Sequence, residues 1–131
     1  MEKIKVFVYG TLKRGFGNDI FYMNNSEFLG IDHVRGKLYC NYSYPWLVGG
    51  NKWVPGEVYL MPMKDFQKVA QMEAGAGYVI KSVKTKKNNE VLAFFYPDEN
   101  RLKKYFPEIL TFDNKNVSLA KKILKKQSFS K

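Results

Sequence analysis

Apolar and polar residues alternate through Ile4, Val6 and Val8, and that period of two predicts a first strand from Ile4 to Val8. Lys13 to Asp19 follows as a loop carrying Gly15 and Gly17, and Asp19 suits the cap of a short helical turn through Tyr22. Glu27 to Tyr39 reads as two strand segments, with Gly30 and Gly36 marking bends or bulges. Asn41 to Pro45 reads as a turn. Trp46-Leu47-Val48 is a short apolar piece before Gly49-Gly50-Asn51-Lys52, which reads as a hairpin turn into a strand from Val54 to Leu60. The period then changes. Met63, Phe66, Val69 and Ala70 recur at helical spacing, while Lys64, Asp65, Gln67 and Lys68 fill the opposite side. Pro62 suits the start of that helix, and Gly75 and Gly77 its end. Tyr78 to Thr85 and Glu90 to Tyr96 alternate around Lys86-Lys87-Asn88-Asn89, a further hairpin. Glu99 to Tyr105 reads as a helical turn. Val117 to Gln127 reads as a basic amphipathic helix with Val117, Ala120, Ile123 and Leu124 on one side.

Strands outnumber helices and several are joined as hairpins. The expected class is α+β: a small mixed, mostly antiparallel β-barrel, its sheet mostly closed, flanked by short helices. At 131 residues the chain is expected to be a single domain, residues 1–131, with a core at about 3–97 and a basic helical extension over 98–131.

Composition narrows the chemistry. The hydrophobic fraction of 45% and aromatic fraction of 16% suffice for one substantial core. Cys40 is the one cysteine and His33 the one histidine, so neither an internal disulfide nor a zinc constellation is expected, and no metal or organic cofactor is called for. The N-terminus leads into a strand pattern, not a long apolar run, and no segment approaches the ~20 apolar residues of a membrane span. The expectation is a soluble cytoplasmic protein. The net charge of +10 is compatible with nucleic acid, an anionic membrane or an anionic substrate. Its basic residues are nearly all lysine, however, with Arg14, Arg35 and Arg101 the three arginines. Base and phosphate readers lean on the planar fork of arginine. The lysines read as a solvated surface, and neither a nucleic-acid nor a membrane partner is expected.

Two features carry candidate chemistry. Tyr9-Gly10-Thr11-Leu12 follows the first strand as a glycine-bearing turn. Such a turn can aim consecutive backbone N–H groups at one point and hold a carboxylate or a developing oxyanion. It can equally be a plain strand-end turn with Gly10 at a special dihedral. Glu73 ends the Met63–Met72 helix, just before Ala74-Gly75-Ala76-Gly77. A carboxylate there faces the negative end of the helix dipole, and partial burial beside Met72 and Tyr78 acts in the same sense, so its pKa is expected to rise toward neutrality. That suits general acid–base work. An exposed glutamate of no consequence is the bland alternative. Tyr78 and Tyr96 each place a phenol near this point. Trp46 and Trp53 read as packing residues.

In register, these motifs resemble the γ-glutamylcyclotransferase-like superfamily, especially its AIG2-like, γ-glutamylamine-cyclotransferase-like branch. That family opens with a strand, Tyr-Gly-Thr-Leu, a basic residue and Gly, matched by Val8-Tyr9-Gly10-Thr11-Leu12-Lys13-Arg14-Gly15. Its Tyr/Phe-Pro-x-x-Val segment is matched by Tyr44-Pro45-Trp46-Leu47-Val48, and its Gly-Glu-Val-Tyr strand by Gly56-Glu57-Val58-Tyr59. Its catalytic Glu, glycine-containing loop and Tyr fall on Glu73, Gly75 and Tyr78. The chain departs from the pattern at Val69-Ala70-Gln71-Met72, at Ala74 and at Ile80-Lys81. The resemblance implies a barrel with one cavity, with Glu73 moving protons and the Tyr9, Gly10, Thr11 and Leu12 backbone, with Tyr78, binding a γ-glutamyl substrate. It implies conversion of a γ-glutamyl amide or amine into 5-oxoproline and a free amine, without a cofactor. A non-catalytic small-molecule-binding or regulatory module of the same fold is the rival reading. A basic adaptor using the C-terminal helix is a third.

Overall fold

The structure, a computed structural model, describes residues 2–10, 23–41 and 45–109. In chain order it contains β1 (Lys3–Val8), β2 (Glu27–Cys40), β3 (Pro45–Pro62), α1 (Met63–Gly75), β4 (Val79–Lys84), β5 (Glu90–Phe95), α2 (Glu99–Tyr105) and β6 (Glu108–Ile109). The strands form one sheet in the order β4-β5-β1-β3-β2-β6. All neighbours are antiparallel except β1 and β5, which are parallel through Val6 and Leu92. This is the α+β arrangement expected from the sequence. The loop and turn expected over residues 13–22 and the helix expected from 117 to 127 lie outside the described residues.

The sheet differs from the expected barrel in one respect: its ladder is open, with β4 and β6 at its ends. It is strongly curled nonetheless. The turn after β4 reaches β2, although β5, β1 and β3 lie between them in the ladder. The Lys86 N–H donates to the His33 carbonyl at 2.9 Å. The Asp32 carboxylate accepts from the Thr85 hydroxyl, the Asn89 amide at 2.9 Å, the Lys87 N–H at 3.2 Å and the His33 N–H at 2.8 Å. Burial alone would raise the Asp32 pKa, but these four donors outweigh it and hold the carboxyl below its usual value. One buried carboxylate therefore staples the sheet where its ladder does not close.

The two faces of the sheet build two apolar layers, as the period of two requires. Phe7, Val34, Leu38, Leu47, Val58, Val91, Ala93 and Phe95 fill the concave interior. Val6, Val8, Tyr59, Met61 and Phe94 lie on the other face, under Phe66 and Val69 of α1 and Leu102 of α2. The helical face read from the sequence is thus the face that packs.

Two local expectations change. Residues 27–40 form a single strand whose register shifts lie between Phe28 and Gly30 and between Gly36 and Lys37, so the glycines mark bulges without breaking the strand. Gly49-Gly50-Asn51-Lys52 is not a hairpin turn. Val48 pairs with Lys37 and Lys52 with Gly36, so Gly49, Gly50 and Asn51 bulge out of the continuous strand β3. Both apolar pieces pair with the same strand, and the chain never reverses. A Cβ on Gly36 would lie 2.6 Å from the Val48 carbonyl oxygen, so the bulge needs glycine where the two backbones approach. The short strand β6 was not anticipated. It pairs Ile109 with Leu38 and Glu108 with Tyr39. Among the described residues no helix is long and apolar enough to cross a membrane.

Candidate active site

Helix α1 runs to Gly75, so Glu73 lies inside its last turn. The chain then reverses tightly. The Gly77 N–H donates to the Ala74 carbonyl at 3.0 Å, and the Tyr78 N–H donates to the Glu73 carbonyl at 3.0 Å. These are the two hydrogen bonds of a Schellman ending, which requires a left-handed residue after the cap. Gly77 supplies it at φ 93°. The motif returns the residue after that glycine to the carboxylate's own turn of helix. Tyr78 is therefore set beside Glu73 by backbone hydrogen bonding alone.

Tyr78 also reaches β3. Its hydroxyl donates to the Pro45 carbonyl, and its ring stands edge-on to Tyr96 with centroids 6.0 Å apart. Pro45 meets the other half of the site as well: a Cβ on Gly10 would lie 3.0 Å from both Cγ and Cδ of the proline ring. The Tyr9–Gly10 turn and the Glu73–Tyr78 ending are thus assembled around one proline.

The Tyr9 side chain enters the concave interior and is buried. Its hydroxyl donates to the Phe94 carbonyl and accepts from the Leu47 N–H at 3.4 Å. Burial raises its pKa far above 10, and the neighbouring charges of Tyr78 and Glu73 act in the same direction, so Tyr9 remains a protonated donor. The same coupling puts Tyr9, Tyr78 and Glu73 in one electrostatic neighbourhood. Glu73 is half-buried, and loss of water pushes its carboxyl up to about 7. The dominant cause is desolvation; the helix dipole invoked from sequence acts in the same sense.

Of the residues singled out in the sequence, Tyr9, Gly10, Glu73 and Tyr78 come together. Thr11 and Leu12 lie outside the described residues, as do Lys13 and Arg14. Sequence reasoning missed Pro45, whose carbonyl and ring link the two halves. It also missed the Tyr9 side chain, having assigned that residue a backbone role. A tyrosine following three buried strand residues was the available signal, since a buried phenol usually finds a partner.

The matching family model is described as "Gamma-glutamyl cyclotransferase, AIG2-like" and spans residues 6–111. The chain belongs to this family. It is 34% identical over 86 residues to a Pyrococcus horikoshii protein named "Putative gamma-glutamylcyclotransferase", covering 65% of this chain and 72% of that one. A Methanocaldococcus jannaschii protein of the same name is 31% identical over 102 residues, covering 71% of this chain and 84% of its own length. Among solved structures, an AIG2-like protein from mouse superposes with a TM-score of 0.71 at 20% identity, over 86% of this chain and 90% of that chain, which is a likeness of fold.

Proposed function

We propose that this protein is a γ-glutamylcyclotransferase that releases 5-oxoproline and a free amine from a γ-glutamyl amide or amine, with Glu73 as general acid and base. The reading rests on one observation above all. A half-buried carboxyl, pushed up to about 7, sits at a tight helix ending beside the Tyr9–Gly10 turn. A group that titrates near neutrality can both take and return a proton at low cost.

The chemistry asks little more of the protein. The α-amine of the substrate attacks its own δ-carbonyl, so the nucleophile is internal. The new C–N bond closes a five-membered ring, and the carbonyl electrons move onto oxygen. Glu73 takes the proton that the attacking amine loses. The oxyanion collapses, the bond to the leaving nitrogen breaks, and Glu73 hands that nitrogen the proton. Backbone N–H groups of the turn beginning at Gly10 would stabilise the oxyanion. Folding the flexible γ-glutamyl chain into an attacking shape accounts for much of the remaining rate. In this reading the backbone of Tyr9, Gly10, Thr11 and Leu12, together with Tyr78, surrounds the γ-glutamyl group, and residues 1–131 work as one catalytic domain.

A panel of γ-glutamyl amines and γ-glutamyl dipeptides, scored for 5-oxoproline with wild type and Glu73→Gln, tests this. Turnover by wild type and its loss in Glu73→Gln is the expected result. Turnover that survives the substitution removes Glu73 from its role. Tight binding of a γ-glutamyl compound without any product favours a non-catalytic module of the same fold.

A further inference from the structure

The hydroxyl of Tyr9 occupies an unusual position in the backbone network. Leu47 faces the end of β5 with both its peptide groups. Its carbonyl takes the Tyr96 N–H at 2.7 Å, directly. Its N–H does not reach the Phe94 carbonyl directly; the Tyr9 hydroxyl stands between, accepting from Leu47 and donating to Phe94. A single phenol thus replaces one rung of what would otherwise be a two-rung bridge between β3 and β5. A direct N–H to carbonyl bond would draw these segments together, whereas an inserted oxygen sets a wider spacing.

That spacing has consequences two residues away. Pro45 precedes Trp46 and Leu47 on the same strand, and both halves of the candidate site are referenced to it. Its ring packs on Gly10, and its carbonyl holds the Tyr78 hydroxyl. Tyr78 is in turn fixed to Glu73 through its N–H. The path from the Tyr9 hydroxyl to Glu73 is therefore short and made of named bonds: Tyr9 to Leu47, along the strand to Pro45, across to Tyr78, and back to the last turn of α1.

We propose that the Tyr9 hydroxyl is a positioning group, which spaces β3 from β5 and so holds Glu73 and the Gly10 turn at their working separation. It neither contacts the substrate nor transfers a proton, because its one hydrogen is committed to Phe94 and its site is buried. This inference rests on the cyclotransferase reading for its effect on rate, but its structural claim stands apart from that reading. Among the described residues Tyr9, just after β1, is coupled electrostatically to Glu73, and burial keeps its phenol protonated at neutral pH; the Tyr78 and Tyr96 rings stand beside it.

The test uses the full chain with Tyr9→Phe, which keeps the ring and removes only the oxygen, and Tyr39→Phe as a control. Tyr39 pairs with Trp46 across β2 and β3, but its hydroxyl donates to Glu99 of α2 at 2.9 Å, so its loss removes a hydrogen bond that is not on the path while leaving the neighbouring ring in place. Two quantities are read: steady-state kinetics on the best γ-glutamyl substrate, and titration of the Glu73 carboxyl by carbon NMR. Tyr9→Phe is expected to lower kcat by about 10–100-fold with KM changed by less than about threefold. It is also expected to move the Glu73 midpoint down toward the ordinary carboxylate value as water enters. Tyr39→Phe is expected to change neither. The proposal is overturned if Tyr9→Phe leaves the Glu73 midpoint where it is, or if Tyr39→Phe moves it equally. Should Tyr9→Phe fail to fold, Tyr78→Phe breaks the same path at the Pro45 carbonyl and must give the same displacement. If wild type forms no 5-oxoproline, the functional reading fails while the titration still decides the positioning claim.

Discussion

The Tyr78 N–H donates to the Glu73 carbonyl at 3.0 Å, and the same tyrosine's hydroxyl donates to the Pro45 carbonyl. One residue therefore joins the helix ending that carries the carboxylate to the strand that faces the Gly10 turn. The glutamate gains its altered acidity from where this connection puts it, half out of water, with desolvation as the cause.

Substituting Glu73 by Gln should separate function from stability. Activity is expected to fall by at least about 100-fold, the usual contribution of a positioned acid–base group. Stability is expected to move the other way at alkaline pH. The folded-state pKa of about 7 lies above the ordinary value of 4.5, so the native state holds more protons than the unfolded state between those values. Wild type therefore loses stability as pH rises through that window. Glu73→Gln escapes the loss and should be more stable at pH ~8 by about 1–3 kcal/mol, with the gain gone below pH ~4. Urea unfolding at both pH values measures it.

The pH dependence of kcat/KM should show an acid limb with an apparent pKa of about 7. Activity rises with pH through that limb because the carboxyl must be ionised to accept the amine proton. A limb near pH 4.5 would mean that Glu73 is solvated in the free enzyme.

Asp32 should govern acid stability. Its pKa is held below the usual value, so its contribution is fully present above about pH 4 and is lost as pH falls through the lower folded-state value. Asp32→Asn keeps the shape but turns an acceptor of four donors into a group that also donates. A loss of about 1–3 kcal/mol is expected at neutral pH, shrinking in acid, as seen by denaturant midpoints from pH 7 to 2.

Gly77→Ala should damage the site from its backbone. A side chain at φ 93° is strained, and the added Cβ would lie 3.3 Å from the Tyr96 ring. A stability loss of about 1–2 kcal/mol is expected, with a larger proportional loss of activity because Tyr78 and Glu73 are displaced together. Gly75→Ala is the contrast: nothing lies within 4 Å of its added Cβ, and it should be near neutral.

Much of this was readable along the chain. Ile4, Val6 and Val8 alternate because a strand shows its two faces in turn, and Phe66 and Val69 recur because a helix turns every 3.6 residues. The Glu73-Ala74-Gly75-Ala76-Gly77-Tyr78 run contains its own reversal, since only glycine readily takes the left-handed angle that returns Tyr78 to Glu73. Motif register carried the family, and with it the expectation that Glu73 and the Tyr9–Leu12 turn form one site.

Other features had no local signature. Gly49-Gly50-Asn51 has the composition of a turn, and the same glycines serve equally well in a bulge; the partner strand β2 chose between them. The sheet's curl depends on Asp32 meeting Thr85 and Asn89, more than fifty residues away. Pro45 became the meeting point of the two halves because the folded sheet brings the first residue of β3 against both Gly10 and Tyr78. Local propensity acts over a few residues, so the sequence by itself determined most of the elements, the helix ending and the candidate acid. Contacts distant in the chain determined the spacing between that acid and the opposing turn, because only the folded sheet sets how far apart its strands lie.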